Sequence, residues 1–130
     1  MNNPFKRALR IVALLAATLG LMLAFTNPAS ASADGPETCY GGACVWFKSY
    51  GDIIYVEDTS SNGYSAVAQV YVPGLISDNL WNSQGYGAVD SYKYGGGPRD
   101  IPEGTTVYYR ACKGTTPLDC NPAGWTHGTA

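Results

Sequence analysis

Four cysteines are the residues of this chain whose type and spacing point most directly to chemistry. Two of them close the segment Cys39-Tyr-Gly-Gly-Ala-Cys44, and the other two are Cys112 and Cys120. A structural zinc site needs two ligand pairs, each with about two to four residues between its members. The first pair has this spacing and the second does not, and the Cys-x-x-Cys spacing of redox pairs is absent. We therefore expect disulfide bonds, and no metal or other cofactor.

The first 33 residues indicate an oxidising compartment for these cysteines. Three basic residues precede an apolar run of 15 residues over 11–25, and small residues follow over 29–33. This order is typical of a secretory signal peptide, and the run is shorter than the roughly 20 residues that span a bilayer. We predict cleavage after Ala33, with Ala31 as the alternative site, and an extracellular protein.

Removal of 33 from 130 residues leaves 97, which is the size of one small domain over residues 34–130. Three of the eight basic residues leave with the leader, so five Lys and Arg face all ten Asp and Glu. The resulting net charge of about −5 argues against nucleic acid and anionic membranes as partners.

An even number of cysteines in a small exported chain predicts two disulfides. We favour the local pairs Cys39–Cys44 and Cys112–Cys120 over the two other pairings. Loops of this size contribute only about 2–2.5 kcal/mol each in the chain-entropy model. Such small rings fix the shape of a loop as much as they stabilise the fold.

The segment Asp58-Thr-Ser-Ser-Asn-Gly63 resembles the start of a calcium loop, with oxygen ligands at alternate positions and glycine at the sixth. The twelfth position is Gln69 instead of a bidentate Glu, and the flanks are predicted strands. We expect a hairpin turn capped by Asp58 and Ser60, because Asn-Gly is the strongest short hairpin signal.

Catalytic constellations are weak in this sequence. His127 is the only histidine and lies three residues from the C-terminus, where we expect a solvated, fraying end. Four carboxylates are candidates for a glycosidase pair: Asp52, Glu57, Asp90 and Glu103. We expect turn formers and solvent-facing strand residues among them, and no enzyme. A small hydrolase using Glu57 or Asp90 is a third hypothesis.

Aromatic side chains exceed what a core of this size needs, since ten Tyr and three Trp follow the leader. Tyr86, Tyr92 and Tyr94 cluster before a glycine-rich loop, and Trp81 precedes a turn. With Tyr40, held inside the first disulfide ring, they are candidates for a platform that binds a sugar or a protein. The alternative is that tyrosines merely replace aliphatic residues on an exposed sheet.

The elements that must position these residues are strands. Val, Ile, Thr and Tyr dominate the ordered stretches, and Gly, Asn, Asp and Pro interrupt them about every ten residues. Asp34–Thr38 is expected to be a frayed lead-in. Six or seven strands predict an all-β sandwich or small barrel. The predicted strands are Cys44–Tyr50, Ile53–Asp58, Tyr64–Val72, Asn79–Ser83, Tyr86–Tyr94, Thr105–Lys113 and a short piece near Trp125.

Residues 105–112 alternate clearly between two faces. The face expected to be buried carries Val107, Tyr109 and Ala111. The other face carries Thr106, Tyr108, Arg110 and Cys112. This pattern predicts that Cys112 points outward and forms a surface clip with Cys120.

Three stretches resemble small secreted proteins of filamentous actinobacteria: GDIIYVEDTSSNGYSAVAQVYV, WNSQGYG, and IPEGTTVYYRAC followed by DC. The resemblance implies export and an immunoglobulin-like β-sandwich, without implying an activity. Secreted α-amylase inhibitors and chromophore-carrying apoproteins are similar in class, being small, all-β and held by two disulfides. The Trp-Arg-Tyr inhibitory triplet of the amylase inhibitors is absent here.

These observations predict a secreted, non-enzymatic binding protein that engages an extracellular protein or glycan through loops and exposed tyrosines. The alternative is an inhibitor of secreted hydrolases, either proteases or amylases. In that case the constrained Cys112–Cys120 loop would present Leu118, because a rigid loop loses less entropy on binding.

Overall fold

Short strands separated by glycine-containing turns build the described part of the chain, residues 31–130 of a computed structural model. Apart from residues 31–33, the predicted signal peptide lies outside the described residues. No helix long and apolar enough to cross a membrane occurs within 31–130. The strands are β1 Gly35–Tyr40, β2 Ala43–Lys48, β3 Ile53–Asp58, β4 Ala66–Val72, β5 Ile76–Trp81, β6 Val89–Lys93, β7 Thr106–Lys113, β8 Asp119–Cys120 and β9 Thr126–Thr129.

The strands form two antiparallel sheets that pack face to face. The first sheet has the order β1-β2-β3-β6. The second sheet has the order β5-β4-β7, and both β8 and β9 pair with the far edge of β7. The predicted all-β sandwich with two disulfides is therefore confirmed.

The core lies between the sheets and follows the alternation of their strands. β2 contributes Val45 and Phe47, which meet Val107 and Tyr109 of β7, and all four side chains are fully buried. The Tyr109 hydroxyl donates a hydrogen bond to the carbonyl oxygen of Pro36. The inward set predicted for residues 105–112 is thus confirmed.

β1 occupies the segment that was predicted to fray, so that prediction was wrong. The sequence of this segment has no apolar alternation that would predict a strand. Close packing of the backbone holds the segment in place instead. A Cβ atom on Gly35 would overlap the Tyr109 hydroxyl oxygen, so only glycine fits there. Ala33 adds a two-bond bridge to Thr129 just before the strand, with N···O distances of 2.9 Å in both directions.

The predicted hairpin at Asn62-Gly63 was also wrong. β3 belongs to the first sheet and β4 to the second, so this loop crosses between sheets. The capping by Asp58 is present, since its Oδ1 accepts a hydrogen bond from the Ser60 amide. Asn62 donates to the Gly41 carbonyl oxygen, which ties the loop to the Cys39–Cys44 ring. Strand partners are decided by sheet packing, which a local turn signal does not report.

Cys112 was predicted to point outward to the surface, but it is fully buried. It does lie on the outer face, in one row with Val67 of β4 and Cys120 of β8. Trp81 pairs with Val67 and its ring reaches Gly114, so the indole lies across this row. A side chain from a distant strand therefore covers the second disulfide.

Asn82 fixes the connection between β5 and β6 from inside the sandwich, where it is 2 % exposed. Its amide nitrogen donates to the carbonyl oxygens of Val56 and Ala88, at 2.9 and 2.8 Å. Its oxygen accepts from the backbone amides of Gln84 and Gly85, both at 2.9 Å. One side chain thus makes hydrogen bonds with four backbone groups, two on the turn after β5 and two on neighbouring segments.

We predict that Asn82→Ala lowers the free energy of unfolding by about 3 kcal/mol or more, because several buried polar groups lose their partner. Asn79→Ala is the matched control, since Asn79 is exposed on β5 and its loss should change stability by no more than about 0.5 kcal/mol. Chemical denaturation of both variants measures the difference. Equal stabilities would contradict a structural role for Asn82.

Candidate functional site

A row of three rings crosses the outer face of the second sheet. Tyr71 of β4 is the direct partner of Tyr108 in β7, and Tyr108 is the direct partner of His127 in β9. The ring centroids are 6.4 Å apart in the first pair and 6.0 Å apart in the second. The register of three strands therefore makes one contiguous aromatic row.

Trp125 extends this row toward the centre of the sheet. Its ring centroid lies 6.3 Å from that of Tyr71, and the Arg110 guanidinium lies 4.6 Å from the Trp125 centroid. Arg110 Nε in turn donates to Gln69 Oε1 at 2.8 Å. We call this surface the aromatic face and define it by Tyr71, Tyr108, Arg110, Trp125 and His127.

The local sequence explains how Trp125 reaches its position. Asn121 accepts hydrogen bonds from the Gly124 amide through its carbonyl and from the Ala123 amide through its side chain. Gly124 has φ +96°, a conformation that favours glycine. This turn places Trp125 immediately before β9, and 42 % of its surface remains exposed, against 43 % for Tyr71.

The aromatic face combines flat apolar surfaces with polar groups that face solvent. Two phenol hydroxyls and an imidazole lie along the row, and the Gln69–Arg110 pair lies beside it. The cation–π and aromatic contacts restrict the rotamers of Trp125 and Arg110 before any ligand arrives. The chemistry available is therefore stacking with directional hydrogen bonds.

The tyrosine platform predicted from the sequence is not assembled. Tyr94 is only 6 % exposed and its hydroxyl donates to Asp78 Oδ2 at 2.8 Å. Burial and the nearby Asp78 carboxylate raise the pKa of Tyr94 well above its ordinary value. Tyr92 is half-buried, and its hydroxyl donates to the Trp81 carbonyl oxygen. Period-two alternation was right for these residues, but the face they share points largely into the sandwich.

The other residues that were predicted to bind a ligand lie at one end of the sandwich, and the C-terminal end of β9 lies at the other end. Trp81 and Tyr86 are 43 % and 67 % exposed, while Leu118 is half-buried. Tyr40 is half-buried and its hydroxyl donates to Asp119 Oδ1 at 2.9 Å, a bond that raises the Tyr40 pKa. The Asp119 carboxylate therefore fixes the Tyr40 hydroxyl, and the Cys39–Cys44 ring does not present a fully exposed Tyr40 ring.

The proposed hydrolase pair is separated by a sheet. Glu57 pairs with Val89, so the neighbouring Asp90 projects from the other face of the first sheet. Asp90 caps the preceding turn by accepting hydrogen bonds from the Gln84 side-chain amide and the Ser83 backbone amide, and these bonds lower the pKa of Asp90. Asp52 and Glu103 lie in turns, as expected, and both line one pocket.

We expected His127 to lie in a fraying C-terminal segment. The prediction of a fraying segment was wrong. Thr126–Thr129 forms β9 and pairs with β7, which holds the exposed imidazole beside Tyr108. Glu37, Cys39 and Cys44 bring potential metal-ligand atoms close together. The two sulfurs are bonded to each other, so neither is available as a thiolate ligand.

Sequence reasoning missed the aromatic face because its members are distributed over three strands. Alternation placed Tyr108 and Arg110 on the outward side of β7, which was a usable signal. No local pattern reports that β4 and β9 flank β7, and this pairing brings Tyr71 and His127 to the same row.

The chain matches no protein-family model, no curated protein and no solved structure.

We predict that Tyr94 and Tyr109 are the last tyrosines to ionise in the folded protein. Burial raises the pKa of Tyr109 to about 12, from an ordinary 10.0, and raises that of Tyr94 further. Both hydroxyls thus contribute stability that is lost as the pH rises above about 10 toward the folded-state pKa.

A spectrophotometric titration of the folded protein checks this expectation. Tyr109→Phe should remove the tyrosinate signal that appears near pH 12. Tyr94→Phe should remove a signal that appears at higher pH. Loss of signal near pH 10 in Tyr94→Phe would instead place this ring at the surface, as the sequence predicted.

Proposed function

We propose that this chain is an exported, non-enzymatic protein that binds a neutral glycan on the aromatic face. The observation that carries the proposal is a contiguous set of rings with hydrogen-bonding groups between them, in which Tyr71, Trp125 and His127 are exposed and Tyr108 is half-buried. Sugar rings offer apolar C–H faces that stack on aromatic rings, and hydroxyl groups that need directional partners. The aromatic face supplies both in one plane of a rigid sheet.

Two features favour a glycan over a protein as the ligand. The aromatic face is formed by five side chains, whereas a standard protein interface uses about 20–30 residues on each side. The excess of acids over bases after the leader also disfavours a strongly anionic ligand, since Arg110 is already engaged by Gln69 and Trp125. A short neutral saccharide matches this size and charge.

Export and family are part of the same proposal. The leader sequence and the two disulfides support secretion into an oxidising compartment. The two packed antiparallel sheets support an immunoglobulin-like sandwich of the kind implied by the actinobacterial resemblance. The inhibitor hypothesis has less support, because Leu118 is half-buried and Tyr40 holds the neighbouring Asp119.

We predict that Trp125→Ala and Tyr71→Ala each weaken glycan binding at least tenfold, which corresponds to about 1.4 kcal/mol. The ligand is first identified on a glycan array, and its affinity for each variant is then measured by calorimetry. Tyr50→Ala is the matched control, because Tyr50 is 95 % exposed and lies outside the aromatic face. Its binding should equal that of the unmodified protein.

Several results would count against the proposal. An array without a hit contradicts glycan binding, and a defined protein ligand found by pull-down would replace the glycan. Loss of binding in Tyr86→Ala but not in Trp125→Ala would move the site to the loops predicted from the sequence. Inhibition of a secreted protease or amylase that disappears in Leu118→Ala would support the inhibitor hypothesis instead.

We predict that the secreted protein begins at Ser32, after cleavage at Ala31. Ala33 makes two backbone hydrogen bonds with Thr129, and cleavage after Ala33 would remove them. Intact-mass measurement of the protein from culture medium reads the start directly. A mass that begins at Asp34 would show that this bridge is dispensable.

A further inference from the structure

The outer face of the second sheet presents two parallel rows of side chains, because residues on its neighbouring strands lie directly opposite one another. The first, which we call the aromatic row, crosses three strands through Tyr71, Tyr108 and His127. The second, which we call the polar row, lies two residues away along the strands, at roughly 7 Å. It contains Asn79, Gln69 and Arg110. A ligand on this face therefore meets rings along one line and polar groups along the next.

The steps along the aromatic row are close to the length of one sugar unit. The ring centroids of Tyr71 and Tyr108 are 6.4 Å apart, and those of Tyr108 and His127 are 6.0 Å apart. A pyranose unit in an extended chain advances by nearly this distance when its two linking oxygens lie on opposite sides of the ring. Each ring of the row can therefore stack with one of three successive sugar units.

The two ends of the aromatic row are unequal. Trp125 is 42 % exposed and its ring centroid lies 6.3 Å from that of Tyr71, so this end offers two rings side by side. Within residues 31–130, the imidazole of His127 at the other end has an aromatic contact with Tyr108 alone. Short sugars should therefore prefer the Tyr71 end, and a third sugar unit should be needed to reach His127.

The polar row follows one side of the aromatic row. Arg110 Nε donates to Gln69 Oε1 at 2.8 Å, so the Gln69 amide nitrogen is the end that can donate to a ligand. Asn79 is the direct partner of Gln69 and is exposed. An extended sugar chain carries hydroxyl groups along its edges. One edge of a chain that lies on the aromatic row would therefore meet these two amides.

The tilt of the rings favours a single sugar chain over a crystalline surface. The ring planes of Tyr71 and Tyr108 differ by 33°, and those of Tyr108 and His127 differ by 53°. Tyr108 is also half-buried between its two exposed neighbours. Chains packed in a flat crystalline surface need coplanar rings of equal height. A single chain can instead rotate about its glycosidic bonds and follow tilted rings.

We propose that the aromatic face binds a single soluble chain of neutral β-1,4-linked sugars, which lies across the strands with three successive units on Tyr71, Tyr108 and His127. Chains with β-1,4 linkages are extended ribbons, whereas chains with α-1,4 linkages coil away from a straight row. The inference rests on the proposed glycan binding and adds the linkage, length and direction of the ligand. It also assigns a binding role to His127, which the sequence predicted to be a solvated end residue.

The first test is calorimetry of the complete secreted protein with cello-, xylo-, manno- and N-acetylchito-oligosaccharides, from mono- to pentasaccharide. In at least one series, we expect the affinity to rise by about tenfold or more from the mono- to the trisaccharide and then to level off. Maltotriose, which has α-1,4 linkages, should bind about tenfold more weakly than the trisaccharide of that series. Crystalline cellulose and crystalline chitin should not retain the protein.

The second test uses variants of His127. His127→Ala should lower the trisaccharide affinity to that of the disaccharide and leave disaccharide binding unchanged, which also reports that the variant is folded. His127→Phe keeps a ring and should restore most of the trisaccharide affinity. Tyr86→Ala is the matched control, because Tyr86 is 67 % exposed on the loop between β5 and β6, outside the aromatic face. It should bind the trisaccharide like the unmodified protein.

The outcomes separate this inference from the proposed function. A glycan ligand without a response to any of the four series overturns the inference, and so does equal affinity for maltotriose or for the monosaccharide, while glycan binding stands. Retention on crystalline cellulose or chitin contradicts a single-chain ligand. Equal loss of disaccharide and trisaccharide binding in His127→Ala contradicts the end position of His127. Absence of binding to every saccharide contradicts the proposed function, and this inference falls with it.

Discussion

β7 is paired along both edges, and the register of its pairing with β4 determines what each face of the second sheet presents. The pairs Ala68–Ala111 and Val70–Tyr109 face the core, while Gln69–Arg110 and Tyr71–Tyr108 face outward. A shift of one residue would bring every polar and phenolic group into the core. The register of β4 with β7 therefore determines both the burial of Tyr109 and the composition of the aromatic face.

The sequence predicted correctly those features that depend on the residues of a single strand. Alternation in residues 105–112 predicted the core-facing side chains of β7 but not the burial of Cys112. Six further strands were located within a few residues of their bounds. The sequence failed for β1, whose position depends on a glycine that lets Tyr109 approach the backbone. It also failed at Asn62-Gly63, because the sheet to which each strand belongs depends on contacts between distant segments.

The candidate sites were harder to predict than the fold for the same reason. Counting aromatics correctly indicated a surplus, but grouping them by nearness in sequence selected Tyr92 and Tyr94, which fill the sandwich edge. The rings of the aromatic face come from β4, β7, β9 and the turn before β9. The pocket lined by Asp52 and Glu103 likewise joins two loops that are distant in sequence. Backbone hydrogen bonds from Tyr94 to Asp52 and from Gly95 to Gly51 link these loops.

The second disulfide gains a clear role from this geometry. Cys120 is fixed opposite Cys112 on β7, and β9 pairs with the other half of the same strand. The segment between them, residues 121–125, is thus anchored to β7 at both ends and carries Trp125 over Arg110. A ring of this size contributes only about 2–2.5 kcal/mol to stability in the chain-entropy model. In the proposed glycan complex, a Trp125 that is already held in place would lower the entropy cost of binding, so the disulfide would serve the proposed site as well as the fold.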